Sequence, residues 1–138
     1  MDGYFSDMTR MAHLQKPSDK CWFIIEVVEE ALCQAIEAVK VGQLVSDIDK
    51  AARVVIEKAG FGKFFNHRTG HGIGLEIHEP PFITSTSNLV LEEGMVFTVE
   101  PGIYLPGEFG VRLEEIIYVT GDGAEKLSNF RRDLFLIS

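Results

Sequence analysis

A chain of 138 residues, 46% hydrophobic and 25% charged, is long enough to close one hydrophobic core and is expected to form a single domain. Its net charge of −8 argues against a nucleic-acid surface, which needs a basic face, and no apolar run reaches the roughly 20 residues of a membrane span. The start MDGYFSDMTR has no basic-then-apolar leader, and neither Cys21 nor Cys33 sits in a C-x-x-C pair, so reduced thiols in a cytoplasmic protein are expected.

Residues 3–14 read as one extended segment. In a strand, Phe5, Asp7 and Thr9 share one face and Ser6, Met8 and Arg10 the other. Asp7 taken alone is as well explained as a turn or surface acid. Lys16-Pro17-Ser18-Asp19 starts a helix, with Ser18 or Asp19 as cap. The helix runs to about Val39 on an apolar stripe from Ile24 or Ile25 through Val28, Ala31 or Leu32, and Ala35 or Ile36. Glu26, Glu29, Glu30 and Glu37 belong to its solvated face. Gly42 breaks it. A second helix, capped by Ser46 or Asp47, carries Ile48, Val55 and Ile56 and stops at Gly60.

Asn66 to Glu79, NHRTGHGIGLEIHE, holds three of the four histidines and three glycines. Glycines let the backbone turn or pass close to a ligand. Pro80-Pro81 and the Thr/Ser run 84–87 read as a loop. From Gly94 the pattern alternates: Met95, Phe97 and Val99 on one face, Val96, Thr98 and Glu100 on the other. Ile103 to Leu105 is short, Pro106-Gly107 is a turn, and Val111 to Thr120 is the strongest strand. A last short strand is expected near Phe135. The order gives an α+β fold, two helices packed on one face of an antiparallel sheet.

Adjacent glutamates in a strand point to opposite faces. In VRLEE, therefore, one of Glu114 and Glu115 shares the face of Arg112, which favours its charged form. Glu100 ends a strand with an apolar interior and is drawn into a partly buried position. Asp7, His71, Glu100 and Glu114 thus form a candidate pool, with His67 and His78 close to it in sequence. Carboxylates with one imidazole suit Mn2+, Co2+, Fe2+ or Zn2+. The equally available bland reading is a glycine-rich loop with solvated histidines. His78-Glu79 is not an H-E-x-x-H site, the glycines lack P-loop spacing, and no Gly-x-Ser-x-Gly occurs.

At these residues the chain resembles the metallopeptidases of the pita-bread fold: Xaa-Pro dipeptidases (prolidases), Xaa-Pro aminopeptidases, creatinase and methionine aminopeptidase. The resemblance runs through GYFSDMTR, HRTGHGIGLEIHEPP, EEGMVFTVEPGIY and EFGVRLEE and is strongest to the prolyl branch. It implies the C-terminal half of a pita-bread domain, with helices on a curved antiparallel sheet. It also implies Asp7 and Glu114 as bridging metal ligands, and His71 and Glu100 as ligands of one metal. Glu100 would in addition move a proton. His67 and His78 would contact substrate and the tetrahedral intermediate, and Arg112 would order the site. The expected activity is metal-dependent hydrolysis of peptide bonds preceding proline, on a dipeptide or longer peptide, with Mn2+ or Co2+ ahead of Zn2+ or Fe2+. Two departures stand out. The family's further metal-binding aspartate, eleven residues before the position of Asp7, would fall ahead of Met1, and Val41-Gly42 replaces the usual Pro-Gly. One metal site rather than two is therefore expected, in a partial catalytic domain with little activity alone. A homo-oligomer that covers the face of the absent half is expected too. The alternatives are a non-catalytic pita-bread module that binds a peptide or protein partner, and methionine aminopeptidase- or creatinase-type chemistry on the same fold.

Overall fold

The computed structural model describes residues 2–137. Helix α1 spans Asp19–Glu37, and the Ser18 side chain caps it by accepting a hydrogen bond from the Cys21 N–H at 3.2 Å. Its stripe Ile24, Ile25, Val28, Ala31, Leu32 and Ala35 is buried, while Glu26, Glu30 and Glu37 face solvent and Glu29 is half-buried. Helix α2 spans Val45–Lys58. It begins before the expected Ser46 or Asp47 cap; Leu44 is the cap residue and makes no side-chain hydrogen bond. The reason lies in residues 89–91. The Val45 N–H donates to Leu89 O and the Gly42 N–H to Leu91 O, with a bridge between Leu44 and Val90. Backbone from another segment thus fixes the chain where it enters the helix. Gly60, at φ +86°, ends the helix as its sequence position implies.

Five strands, β2 (Gly70–Gly72), β3 (Glu79–Ile83), β4 (Val96–Val99), β7 (Glu115–Thr120) and β8 (Gly123–Lys126), form an antiparallel sheet in the order β3-β2-β4-β7-β8. Strands β5 (Gly102–Leu105) and β6 (Phe109–Arg112) make a separate hairpin, and β1 (Ala12–Leu14) pairs in parallel with β9 (Phe135–Ile137). Phe97 and Val99 of β4 and Ile117 and Val119 of β7 join the core with Ile24, Val28 and Leu32 of α1 and Ile48, Ala52 and Ile56 of α2. The α+β expectation holds, with both helices on this sheet core.

Three further elements differ from the sequence reading. Of residues 3–14 only β1 is a strand, because its partner is the chain's tail; the preceding residues are tied singly, as by the Phe5 N–H to Gly74 O at 2.9 Å. Pro80-Pro81 lies within β3 rather than in a loop. Strand β3 is an edge strand, where a missing N–H is tolerated. Val111 to Thr120 is not one strand: β6 pairs with β5, β7 pairs with β4, and the chain changes sheets at Leu113-Glu114. There the backbone is held by the N-terminal segment, with the Glu114 N–H donating to Thr9 O at 3.3 Å.

The first two glycines of GHGIG, Gly70 and Gly72, serve strand packing. A Cβ at Gly70 would lie 1.8 Å from Thr98 O, and one at Gly72 would lie 2.3 Å from Pro80 O. Close backbone approach is thus required here, but between neighbouring strands rather than toward a ligand.

Candidate metal centre

Four separate stretches meet at one end of the sheet. Asp7 comes from the N-terminal segment, His71 from β2, Glu100 from the residue after β4, and Glu114 from the β6–β7 junction. Ligand atoms of Asp7, His71 and Glu114 all lie within 4.8 Å of one another. His71 Nε2 is 3.3 Å from Glu100 Oε1 and 3.9 Å from Asp7 Oδ2. His71 and Glu114 are buried, and the side chains of Glu100 and Asp7 are 14% and 29% exposed. All four residues of the candidate pool are therefore brought together, from positions up to 107 residues apart (114 − 7).

The hydrogen bonds orient this group. His71 Nδ1 lies 3.0 Å from Gly72 O. A carbonyl only accepts, so Nδ1 carries a proton and Nε2 is the ring nitrogen turned toward the carboxylates. The His71 N–H donates to Thr98 Oγ1 at 3.1 Å. Thr9 Oγ1 donates to Glu114 Oε2 at 2.6 Å and accepts from Arg112 Nε at 3.1 Å. Glu114 Oε1 is buried without a hydrogen-bond partner among the described residues.

Burial raises the Glu114 carboxyl above its ordinary value, and the charges of Glu100 and Asp7 push the same way, against the Thr9 hydroxyl. Burial raises Glu100 too, with Arg112 pulling it back and Asp7 adding to the rise. One imidazole nitrogen and three carboxylates, one of them with an unpartnered buried oxygen, converge with little positive charge among them. That arrangement fits a divalent cation, which would supply the missing charge and occupy the unpartnered oxygen.

Of the other expected residues, His78 and Arg112 touch this group, and His67 is linked to it through Tyr104. His78 is exposed, its ring edge-on to His71 at a centroid distance of 4.2 Å. Arg112 Nε is 4.0 Å from Glu100 Oε2. His67 Nδ1 donates to Arg68 O at 2.7 Å, and Nε2 meets the Tyr104 hydroxyl at 3.1 Å. Burial lowers the His67 pKa, and the charges of Arg112, Arg53 and Arg68 lower it further. The adjacent glutamates diverge as the face argument requires, although the strand is broken: Glu115 turns to Arg10 at 2.9 Å. Thr9, Thr98 and Tyr104 were missed as site residues. Thr9 and Thr98 were detectable, each two positions from a carboxylate on a shared face. Tyr104 carried only an indirect signal, two glycines, Gly102 and Gly110, whose missing side chains make room for its ring.

Residues 1–121 match metallopeptidase family M24. The Xaa-Pro dipeptidase of Lactobacillus helveticus is 49% identical over 136 residues, covering 99% of this chain and 37% of that protein. The solved X-Pro aminopeptidase of Thermotoga maritima superposes with a TM-score of 0.96 at 41% identity, covering 99% of this chain and 39% of that one. A dipeptidase from Pyrococcus horikoshii gives 0.95 at 44% identity, over 98% and 38% respectively. The chain spans less than two fifths of the length of these relatives. With the four-residue group assembled and the family matched over most of its length, the chain belongs to metallopeptidase family M24 and has the C-terminal part of the pita-bread fold.

Proposed function

We propose that this chain carries the metal-binding half of a peptidase that cleaves the bond preceding proline, in Xaa-Pro dipeptides or longer peptides. The observation that carries the reading is the Asp7–His71–Glu114 group with its unpartnered buried oxygen on Glu114. Asp7, His71, Glu100 and Glu114 would hold one divalent ion, with Mn2+ or Co2+ favoured by an oxygen-rich set. When bound, such an ion supplies Lewis acidity toward a carbonyl and lowers the pKa of water.

The protein's own groups do the rest. Glu100, its pKa raised by burial, is poised to take up a proton and deliver it to the leaving amine. The Thr98 hydroxyl, 3.5 Å from Glu100 Oε1, orients that carboxylate. His67, kept neutral by burial and by nearby arginines, presents Nε2 to substrate alongside Tyr104. His78, exposed and edge-on to His71, reaches the peptide from the solvent side, and Arg112 holds Thr9 and balances Glu100. A non-catalytic binding module gains no support from this geometry. Self-association and a cytoplasmic location complete the reading. Exposed Phe5, Met8, Leu75, Ile77 and Phe82 offer apolar area, and Cys21 and Cys33 are free thiols; cell fractionation that finds the protein in an oxidising compartment would overturn the location.

Calorimetric titration with Mn2+ or Co2+ tests the ligand set. The wild-type chain should bind about one ion, and His71→Ala should bind it at least tenfold more weakly, the ordinary scale for disturbing a metal site. Equal binding by both would refute the site. Proline release from Ala-Pro in excess Mn2+ tests the substrate class. Residues 1–138 alone should turn over slowly, since the further aspartate implied by the family resemblance is not among them. An upstream-extended chain should recover activity and lose it again in Glu114→Gln.

A further inference from the structure

Helix α2 holds a charge pair that the mechanism above does not use. Asp49 is fully buried. Arg53, one turn on, grips both its oxygens, Nε to Oδ2 at 2.7 Å and Nη2 to Oδ1 at 3.1 Å. The same guanidinium leaves the helix, donating from Nη1 to Phe65 O at 3.0 Å and from Nη2 to His67 O at 2.7 Å. It lies over the Phe65 ring, 4.3 Å from its centroid. Thr69 Oγ1 donates to Asp49 Oδ1 at 2.7 Å, and the Thr69 carbonyl accepts the Glu100 N–H at 2.7 Å. One pair therefore grips the loop at residues 65, 67 and 69 and reaches the Glu100 backbone through the last of these.

A pair made for helix stability sits on the solvent face and gains only from its i, i+4 spacing. Burying the carboxylate is unfavourable unless further partners meet it, and here every further partner belongs to the His67 loop. The fork geometry is also specific, because a planar guanidinium can serve two carboxylate oxygens and two carbonyls at once and an ammonium cannot.

We propose that Asp49 and Arg53 are positioning residues, fixing the His67 imidazole and the Glu100 amide relative to each other from helix α2. The inference rests on the reading of His67 and Glu100 as site residues. It accounts for why helix α2 carries a buried, bidentate ion pair.

The test is NMR on the metal-free 138-residue chain as Arg53→Lys, Arg53→Met and Thr69→Val. Two readouts decide it: the pH titration of the His67 ring and the exchange rate of the Glu100 amide. Positioning requires that Arg53→Lys fail to rescue. With the charge kept but the fork lost, His67 should drift toward an ordinary histidine pKa, as in Arg53→Met, and the Glu100 amide should exchange about tenfold faster or more. Thr69→Val, which removes one hydrogen bond from an otherwise intact pair, should speed Glu100 exchange by roughly tenfold with His67 less affected. If Arg53→Met does not fold, Thr69→Val carries the test. Wild-type values in Arg53→Lys would overturn the proposal, because charge alone would then suffice. So would lower melting temperatures with both readouts unmoved, since the role would then be stability only. A second arm, Ala-Pro added with Zn2+ to the wild-type chain, checks the underlying reading separately. Silence at His67 and Glu100 would count against their substrate role while the loop readouts still report on Asp49 and Arg53.

Discussion

Arg10 spends every N–H it has on holding three parts of the chain together. Nε donates to Arg131 O at 3.0 Å; Nη1 donates to Thr9 O at 3.0 Å and Glu114 O at 2.6 Å; Nη2 donates to Glu115 Oε1 at 2.9 Å and Phe130 O at 2.8 Å. Its side chain is 8% exposed and that of Glu115 is 0% exposed. Arg10→Ala would strand Glu115, whose remaining cation, Arg132 Nε, stands 3.9 Å away, beyond hydrogen-bond reach. Breaking one side of a buried pair costs about 3–5 kcal/mol. The carbonyls of Phe130 and Arg131 lie where water can replace the guanidinium and add little. A loss of about 4 kcal/mol is expected, with a melting temperature lowered by roughly 10–15 °C for a chain of this size. Arg10→Lys keeps the charge with at most three donors and should lose about 2 kcal/mol. Arg10→Met combined with Glu115→Leu leaves no charge buried and should recover most of the loss. Urea denaturation measures all three. An Arg10→Ala cost under about 1 kcal/mol, or a double variant no more stable than Arg10→Ala, would refute this role for Arg10.

Three further expectations follow from the same geometry. Gly70→Ala would drive a methyl into Thr98 O, so β2 must part from β4; a loss of about 2–3 kcal/mol with weakened metal binding is expected, and a wild-type melting curve would exclude it. The raised Glu114 pKa means that its contribution to metal-free stability is full below the unfolded value and is lost as pH rises through the folded one. Without metal, Glu114→Gln should therefore melt above wild type near neutral pH, with the gap closing toward about pH 4 and reversing in excess Mn2+; a gap independent of pH in thermal scans would sink the argument. Light scattering at tens of micromolar, roughly the range where weak dimers dissociate, should show self-association, and a stable monomer would count against it.

The elements most legible in the sequence were those whose signal is local. Ser18, the stripe of α1 and Gly60 announce themselves by spacing and cap chemistry, and the alternation at 95–100 correctly separated Phe97 and Val99 from Thr98 and Glu100. What failed depended on partners far along the chain. The entry to α2 is held by Leu89 and Leu91 backbone, β1 by Phe135–Ile137, and the break at Leu113-Glu114 by Thr9 and Arg10. The same holds at the site. Asp7, His71, Glu100 and Glu114 could be nominated from residue type, face and resemblance. Asp49 could not, because an aspartate in a helix reads as surface until its neighbours are known.

The parallel pairing of Ala12–Leu14 with Phe135–Ile137 also sets an order of events during synthesis. Asp7 and Thr9 leave the ribosome long before Phe135–Ile137, the strand partner of the segment that follows them. The helices and the antiparallel sheet have nearer partners and can form earlier, since contacts of short sequence separation close fastest. A nascent chain would thus hold His71 and Glu100 in register while the segment after Asp7 still lacks its strand partner. The segment that carries Asp7 gains its strand partner only after every candidate ligand has been made, and a premature stop that spared all four would still remove that partner.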